Sequence, residues 1–286
     1  MNVSRVAIIG FGTMGTGIAQ VFAQSGFEVV AVDLSEELLR RGLETIVGGP
    51  FGLRRLVERG RITEEQMRET LSRIRTTTSL AEAVSSADFV IEAVFEDLEV
   101  KRRVFREVDA HAPKHAVLAS NTSTLSITAL AAATSRHEKV VGMHFFNPPQ
   151  VMKLVEVVRG LQTSDETVEL VKGLAERLGK VPVVCRDSPG FIANRVGVIA
   201  ILEAVRLYEQ GVASARDIDT AMKLGYNWPM GPLELADFIG LDVLLNIAEV
   251  LHRETGSPAY HPPPVLRRLV AAGYLGRKSG RGFYTY

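Results

Sequence analysis

A histidine and a glutamate twelve positions apart, each set in an otherwise apolar run, are the strongest chemical signal in the chain. His144 lies in GMHFFNPP, flanked by aromatics and prolines, and Glu156 lies in KLVEVV. A lone histidine in such a place is more often a satisfied core residue than a base. Glu156 changes that reading, because a carboxylate buried without a partner costs several kcal/mol. A histidine one hairpin away is the natural partner. A carboxylate on one imidazole nitrogen fixes the tautomer and raises the basicity of the other, so the chemistry of such a pair is proton abstraction. A third polar stretch, Ser120-Asn121-Thr122-Ser123-Thr124, follows the apolar VLA. It sits where α/β folds bind ligands, but Ser and Thr are equally good helix caps, and this stretch alone leaves both readings open.

The second kind of chemistry is phosphate binding. Gly10-Phe11-Gly12-Thr13-Met14-Gly15 is a G-x-G-x-x-G, a weak string by itself that gains meaning between a buried strand and a helix. Gly10 permits the tight turn, Gly12 lets a pyrophosphate approach the backbone, and Gly15 allows helix and strand to pack closely. Thr13 and Met14 open the helix, whose N-terminal N–H groups favour an anion. Asp33 follows 18 residues after Gly15 at the end of the next strand. A carboxylate there accepts hydrogen bonds from both ribose hydroxyls and repels a 2′-phosphate, which favours NAD over NADP. FAD uses the same fingerprint, so this loop does not settle the cofactor.

These residues need elements to position them. RVAII at 5–9 reads as a buried strand, Met14 to Ser25 as a helix stopped by Gly26, and Glu28 to Asp33 as a second strand. Further buried strands are expected at Phe89–Ala93, Val117–Ala119, Val140–His144, Leu154–Val158 and Val181–Val184. Helical patterns between most of them predict an α/β, Rossmann-type domain with a mainly parallel sheet. Between about Leu34 and Arg75 no convincing strand is found. Charged, arginine-rich sequence there predicts an inserted helical pair, most of whose arginines form a solvated face. After Arg186 the break DSPG leads into helix and loops: Phe191 to Gln210, Ala215 to Leu224, and a mostly apolar Leu233 to Glu254. The expected division is a domain over 1–186 with its insertion at about 34–75, then an all-helical C-terminal domain over 187–286. The apolar third helix suggests burial against a partner subunit, hence a homodimer.

Bulk numbers narrow the function classes. Hydrophobic residues make up 46% of the 286, an ordinary globular value, and Lys plus Arg balance Asp plus Glu at 33 each. No global charge points to nucleic acid or membrane, so attraction for an anion must be local. The single cysteine, Cys185, allows no internal disulfide and no cysteine-based zinc site, and reads as a small core residue. No cluster of ligand residues suggests a metal. No apolar run reaches the roughly 20 residues of a spanning helix, and Met1 to Arg5 leads straight into a strand without a secretory signal. The expected address is the cytoplasm.

Taken together, Gly10–Gly15 with Asp33, SNTST, GMHFFNPP, KLVEVV, DSPGFIANR, PMGPLELAD and the terminal GRKSGRGFY resemble the 3-hydroxyacyl-CoA dehydrogenase family over nearly the whole chain. The likeness is nearest to its short, single-function bacterial members acting on 3-hydroxybutyryl-CoA. The doubled Pro148-Pro149 differs slightly from the family's usual string and leaves His144 and Asn147 in place. The resemblance implies that His144 is the general base, Glu156 its orienting carboxylate, and Ser123 a hydrogen-bond partner of the reacting oxygen. Asn194 would help hold the substrate. Glu96 and Lys101 match positions that contact the nicotinamide ribose, and Asn147 likewise matches a cofactor contact. The implied substrate is a short-chain (S)-3-hydroxyacyl-CoA, and Arg54 and Arg55 of the insertion are reasonable receivers of its CoA phosphates. Rival expectations are a dehydrogenase of a free hydroxy or sugar acid and a non-catalytic NAD-binding relative. Ser123, His144, Glu156 and Asn194 together argue against the second.

Overall fold

The computed structural model describes residues 3–286. Met1 and Asn2, the first positions of the stretch read as lacking a secretory signal, lie outside the described residues. The chain divides into two compact units, Met1–Ser188 and Pro189–Tyr286.

Unit 1 runs β1 (Arg5–Ile9), α1 (Thr13–Gln24), β2 (Glu28–Val32), α2 (Glu36–Gly48), α3 (Leu53–Glu58), α4 (Glu64–Ser72), β3 (Ile74–Thr77), α5 (Leu80–Val84), β4 (Phe89–Glu92), α6 (Leu98–His111), β5 (Val117–Ser120), α7 (Ile127–Ala131), β6 (Val140–Phe145), β7 (Leu154–Arg159), α8 (Asp165–Arg177) and β8 (Val181–Arg186). The strands form one sheet in the order β3-β2-β1-β4-β5-β6-β7-β8. Neighbours pair in parallel except β6 and β7, which run antiparallel. The direction of sheet growth reverses between β1 and β4, the switch point outside which such sheets bind ligands. Val6, Ile8, Phe89 and Ile91 on the central strands pack with Phe22 and Phe27 into a core whose members are nearly all fully buried. Continuous apolar runs on β1 and β4 are what helices on both faces require.

The expected α/β, Rossmann-type architecture with a helical C-terminal part is what the chain adopts, with local corrections. The insertion holds three helices rather than a pair, and it ends in β3, a strand the sequence reading did not find. IRTT is short, half polar and at the sheet edge, so it lacks the apolar run that marks the central strands. β8 is not a buried strand: Val181, Val183 and Val184 are 57%, 37% and 41% exposed, because β8 forms the opposite sheet edge. Cys185 on it is half-buried rather than core.

Unit 2 is helical: α9 (Ala193–Glu209), α10 (Ala215–Tyr226), α11 (Pro232–Ile239), α12 (Leu241–Thr255) and α13 (Pro264–Ala271). The single helix expected over Leu233–Glu254 is two, broken at Gly240, whose φ of 103° no helix accommodates. Its apolar residues serve the unit's own core: Leu233, Ala236, Leu241, Leu244, Ala248 and Leu251 are fully buried there. Asp219 accepts the Leu233 and Glu234 N–H groups at 2.8 and 2.9 Å and so caps α11. Asp237 holds the C-terminal turn through the N–H groups of Phe283 and Tyr284, both at 2.9 Å. Among the described residues no helix is long and apolar enough to cross a membrane.

Candidate active site

The glycine loop of unit 1 differs at each of its three glycines in what a side chain would meet. At Gly10, where φ is 88°, an added Cβ would lie 2.8 Å from the Ala93 carbonyl oxygen. At Gly15 it would lie 1.8 Å from the Gly10 carbonyl oxygen. At Gly12 it would meet nothing within 4 Å. Two glycines are therefore needed for packing, whereas the third keeps a space clear. Gly12 is also the N-cap of α1, contributes no capping side chain, and is followed by no acidic residue in the first turn. Thr13 is exposed and Met14 half-buried beside it. The N–H groups at this helix start thus face an open space without a competing carboxylate, and the residues fit a pyrophosphate. Asp33 follows β2 and is half-buried. Its Oδ2 accepts the Phe11 N–H and its Oδ1 the Leu34 N–H, both at 2.7 Å. Each oxygen keeps a further lone pair for a ribose hydroxyl.

On the other side of β1, the ends of β4 and β5 carry a buried polar network. Glu92, the last residue of β4, is 1% exposed and Lys101 of α6 is 1% exposed. The Lys101 ammonium donates to Glu92 Oε1 at 2.6 Å and pairs with Glu96 Oε2 at 3.2 Å. Glu96 Oε1 accepts from the Thr122 hydroxyl at 2.5 Å, the Ser123 N–H at 3.0 Å and the Thr124 hydroxyl at 3.4 Å. Burial pushes the Glu92 carboxyl up from the ordinary range. Burial acts on Glu96 in the same sense, but the Lys101 charge and the donors of Thr122 and Ser123 outweigh it and hold that carboxyl below its ordinary value. The SNTST stretch is thus more than a helix cap, since the Thr122 and Thr124 hydroxyls and the Ser123 N–H close around Glu96. Lys101, expected at the nicotinamide ribose, has its ammonium buried among Glu92 Oε1, Glu96 Oε2 and the Val94 carbonyl oxygen, the last at 3.1 Å.

His144 and Glu156 meet across the antiparallel pair. They are direct register partners on β6 and β7, and His144 Nδ1 lies 2.8 Å from Glu156 Oε2, with the residues 5% and 1% exposed. Phe145, next to His144, donates its N–H to the Asn121 side-chain oxygen at 2.8 Å, which ties the end of β6 to the end of β5. The loop between β6 and β7 carries Asn147, exposed and joined to Pro148 by a cis peptide bond. The Lys180 ammonium binds the carbonyl oxygens of Pro149 and Met152 and so fixes this loop. Sequence reasoning marks Asn121 only as part of the SNTST stretch and does not single out Glu92 or Lys180. Glu92 in FVIEAV is likewise a carboxylate inside an apolar strand, the same signal that marks Glu156. Arg54 and Arg55 lie exposed on α3, and Asn194 lies on α9 of unit 2. Among the described residues no group of His, Cys, Asp and Glu side chains has the makings of a metal site.

Comparison with known proteins covers both units. Residues 5–188 match the family described as "3-hydroxyacyl-CoA dehydrogenase, NAD binding domain", and residues 190–286 match "3-hydroxyacyl-CoA dehydrogenase, C-terminal domain". A Bacillus subtilis protein named probable 3-hydroxybutyryl-CoA dehydrogenase is 49% identical over 286 residues, covering 100% of this chain and 98% of its own. The human mitochondrial hydroxyacyl-coenzyme A dehydrogenase is 46% identical over 288 residues, covering 99% of this chain and 91% of its own. Among solved structures, that of (S)-3-hydroxybutyryl-CoA dehydrogenase from Ralstonia eutropha superposes with a TM-score of 0.94 at 46% identity, covering 100% and 99% of the two chains.

Proposed function

The chain belongs to the 3-hydroxyacyl-CoA dehydrogenase family, and from that premise we propose that its substrates are short-chain (S)-3-hydroxyacyl-CoA thioesters, with His144 as the base. It is an NAD-dependent 3-hydroxyacyl-CoA dehydrogenase. The observation that carries the reading of the base is the 2.8 Å hydrogen bond between His144 and Glu156 in a buried setting. NAD supplies the hydride acceptor when bound. With Nδ1–H donating to Glu156, Nε2 is the nitrogen that takes the proton from the C3 hydroxyl, and Glu156 stabilises the imidazolium that forms. In the reverse direction the imidazolium returns that proton to the developing alkoxide. Ser123 is assigned a hydrogen bond to the same oxygen, and Asn194 a substrate contact. Gly10, Gly12, Thr13, Met14, Gly15, Asp33, Glu96, Lys101 and Asn147 are assigned to the cofactor, and Arg54 and Arg55 to the CoA phosphates.

A homodimer and a cytoplasmic address complete the reading. Unit 2 leaves Val196, Leu224, Tyr226 and Phe238 at least half exposed or nearly so, at 67%, 83%, 75% and 49%, which favours a protein partner. Sedimentation velocity tests the dimer. The function itself is tested by following reduced-nicotinamide absorbance with NADH or NADPH against acetoacetyl-CoA, a longer 3-ketoacyl-CoA and free acetoacetate. Turnover is expected with NADH and acetoacetyl-CoA above all. Equal rates with the free acid overturn the CoA assignment.

A further inference from the structure

Glu92 takes no part in the proton chemistry above, yet unit 1 buries its charge at the carboxyl edge of β4. Three donors converge on it: the Lys101 ammonium and the Val94 N–H on Oε1, both at 2.6 Å, and the Ser120 hydroxyl on Oε2 at 2.7 Å. These donors oppose the upward push of burial on its pKa and favour the carboxylate form. Two arms lead from it to the same place. One runs through Lys101 to Glu96 at 3.2 Å and on to the Ser123 N–H at 3.0 Å. The other runs through Ser120, whose hydroxyl oxygen accepts the Thr122 N–H at 3.2 Å. Both arms end in the Thr122–Ser123 segment. That segment lies beyond the switch point from Asp33, on the β4 and β5 side of β1, where the second half of a dinucleotide sits when its adenosine ribose is at β2.

We infer that Glu92 is a positioning residue, which fixes Lys101 and Ser120 and through them holds Glu96 and Ser123 at the nicotinamide half of the cofactor site. The inference rests on the dehydrogenase reading. The Lys101 ammonium has three acceptors, Glu92 at 2.6 Å, the Val94 carbonyl oxygen at 3.1 Å and Glu96 at 3.2 Å; without the Glu92 charge it leans on the one remaining carboxylate and draws Glu96 away from Ser123. Glu92→Gln is the sharpest change available. It preserves size, but its amide sets an N–H2 group against one of the three donors.

The test is fluorescence titration of NADH into folded parent, Glu92→Gln and Ser120→Ala. Glu92→Gln is expected to raise the NADH Kd about tenfold with unchanged binding stoichiometry, and Ser120→Ala to raise it by a smaller factor in the same sense. A purely structural role for Glu92 lowers the stoichiometry, through loss of folded protein, and leaves Kd alone. Should Glu92→Gln yield no folded protein, Ser120→Ala decides by itself. Variants that bind NADH with the parent's Kd overturn the role given to Glu92. A parent that binds no NADH overturns instead the dehydrogenase reading on which it stands.

Discussion

At the scale of residues, the proton chemistry depends on register. His144 and Glu156 face each other across β6 and β7, so their Cβ atoms leave the same face of the sheet about 5 Å apart. A slip of one residue would send Glu156 to the opposite face and leave two buried polar groups unpaired. His144→Ala is therefore expected to lower kcat at least about a hundredfold while the NADH Kd stays near the parent's, as steady-state rates and fluorescence titration will show. Near-normal turnover in that variant removes the histidine from the mechanism. Asp33→Ala belongs to the same scale. Both carboxylate oxygens are held by backbone N–H groups, so the side chain is set in place before any ligand arrives. The variant is expected to weaken NADH about tenfold and NADPH far less, and equal losses in titrations of the two sinks the ribose assignment. The pair at 144 and 156 was legible because each member interrupts an apolar run. Glu92 interrupts one as well, but its partner Lys101 lies on α6, among charges that look like an ordinary solvated helix face.

At the scale of elements, the glycine loop separates what the fold needs from what a ligand needs. Gly15 packs so closely on Gly10 that any side chain must displace backbone, whereas Gly12 borders open space. Gly12→Ala is thus expected to fold normally, with a Tm within about 2 °C of the parent's, and to lose NADH affinity because its methyl enters the space left for phosphate. Calorimetry paired with NADH titration checks both halves. A Gly12→Ala protein that binds NADH as tightly as the parent contradicts the pyrophosphate assignment. The central strands could be read from sequence because burial on both faces leaves unbroken apolar runs. The sheet edges could not. IRTT of β3 is too short and polar to stand out, and VPVVC of β8 looks like core while lying at the opposite edge. The break between α11 and α12 hid for a related reason: apolar spacing continues across Gly240, and only the positive φ ends the first helix.

At the scale of the whole molecule, charges cancel in sum and act in place. With 33 basic and 33 acidic residues no net field selects a partner, yet single carboxylates make stability depend on pH. Asp88 shows how. It precedes β4 and gathers the Ser4 and Arg5 N–H groups at 3.1 and 3.0 Å, with the His115 ring at 3.1 Å, and so ties the start of β1 to its neighbour in the sheet. Partial burial by itself raises its pKa, but the N–H groups of Arg5 and Ser4 with the His115 and Arg5 side chains more than offset this and hold the carboxyl far below the usual range. The sign follows from linkage. A carboxyl whose folded pKa is depressed contributes stability that is fully present above its unfolded value, near about 4, and is lost as pH falls through the folded value. The parent is therefore expected to lose thermal stability steadily as pH drops below about 5. Asp88→Asn begins less stable at pH 7, because an amide cannot accept from all those donors, and its Tm then falls less steeply on acidification. Calorimetric Tm values for both proteins between pH 3 and pH 7 decide the point: parallel curves would mean that the anchor at the base of the sheet draws nothing from the Asp88 charge.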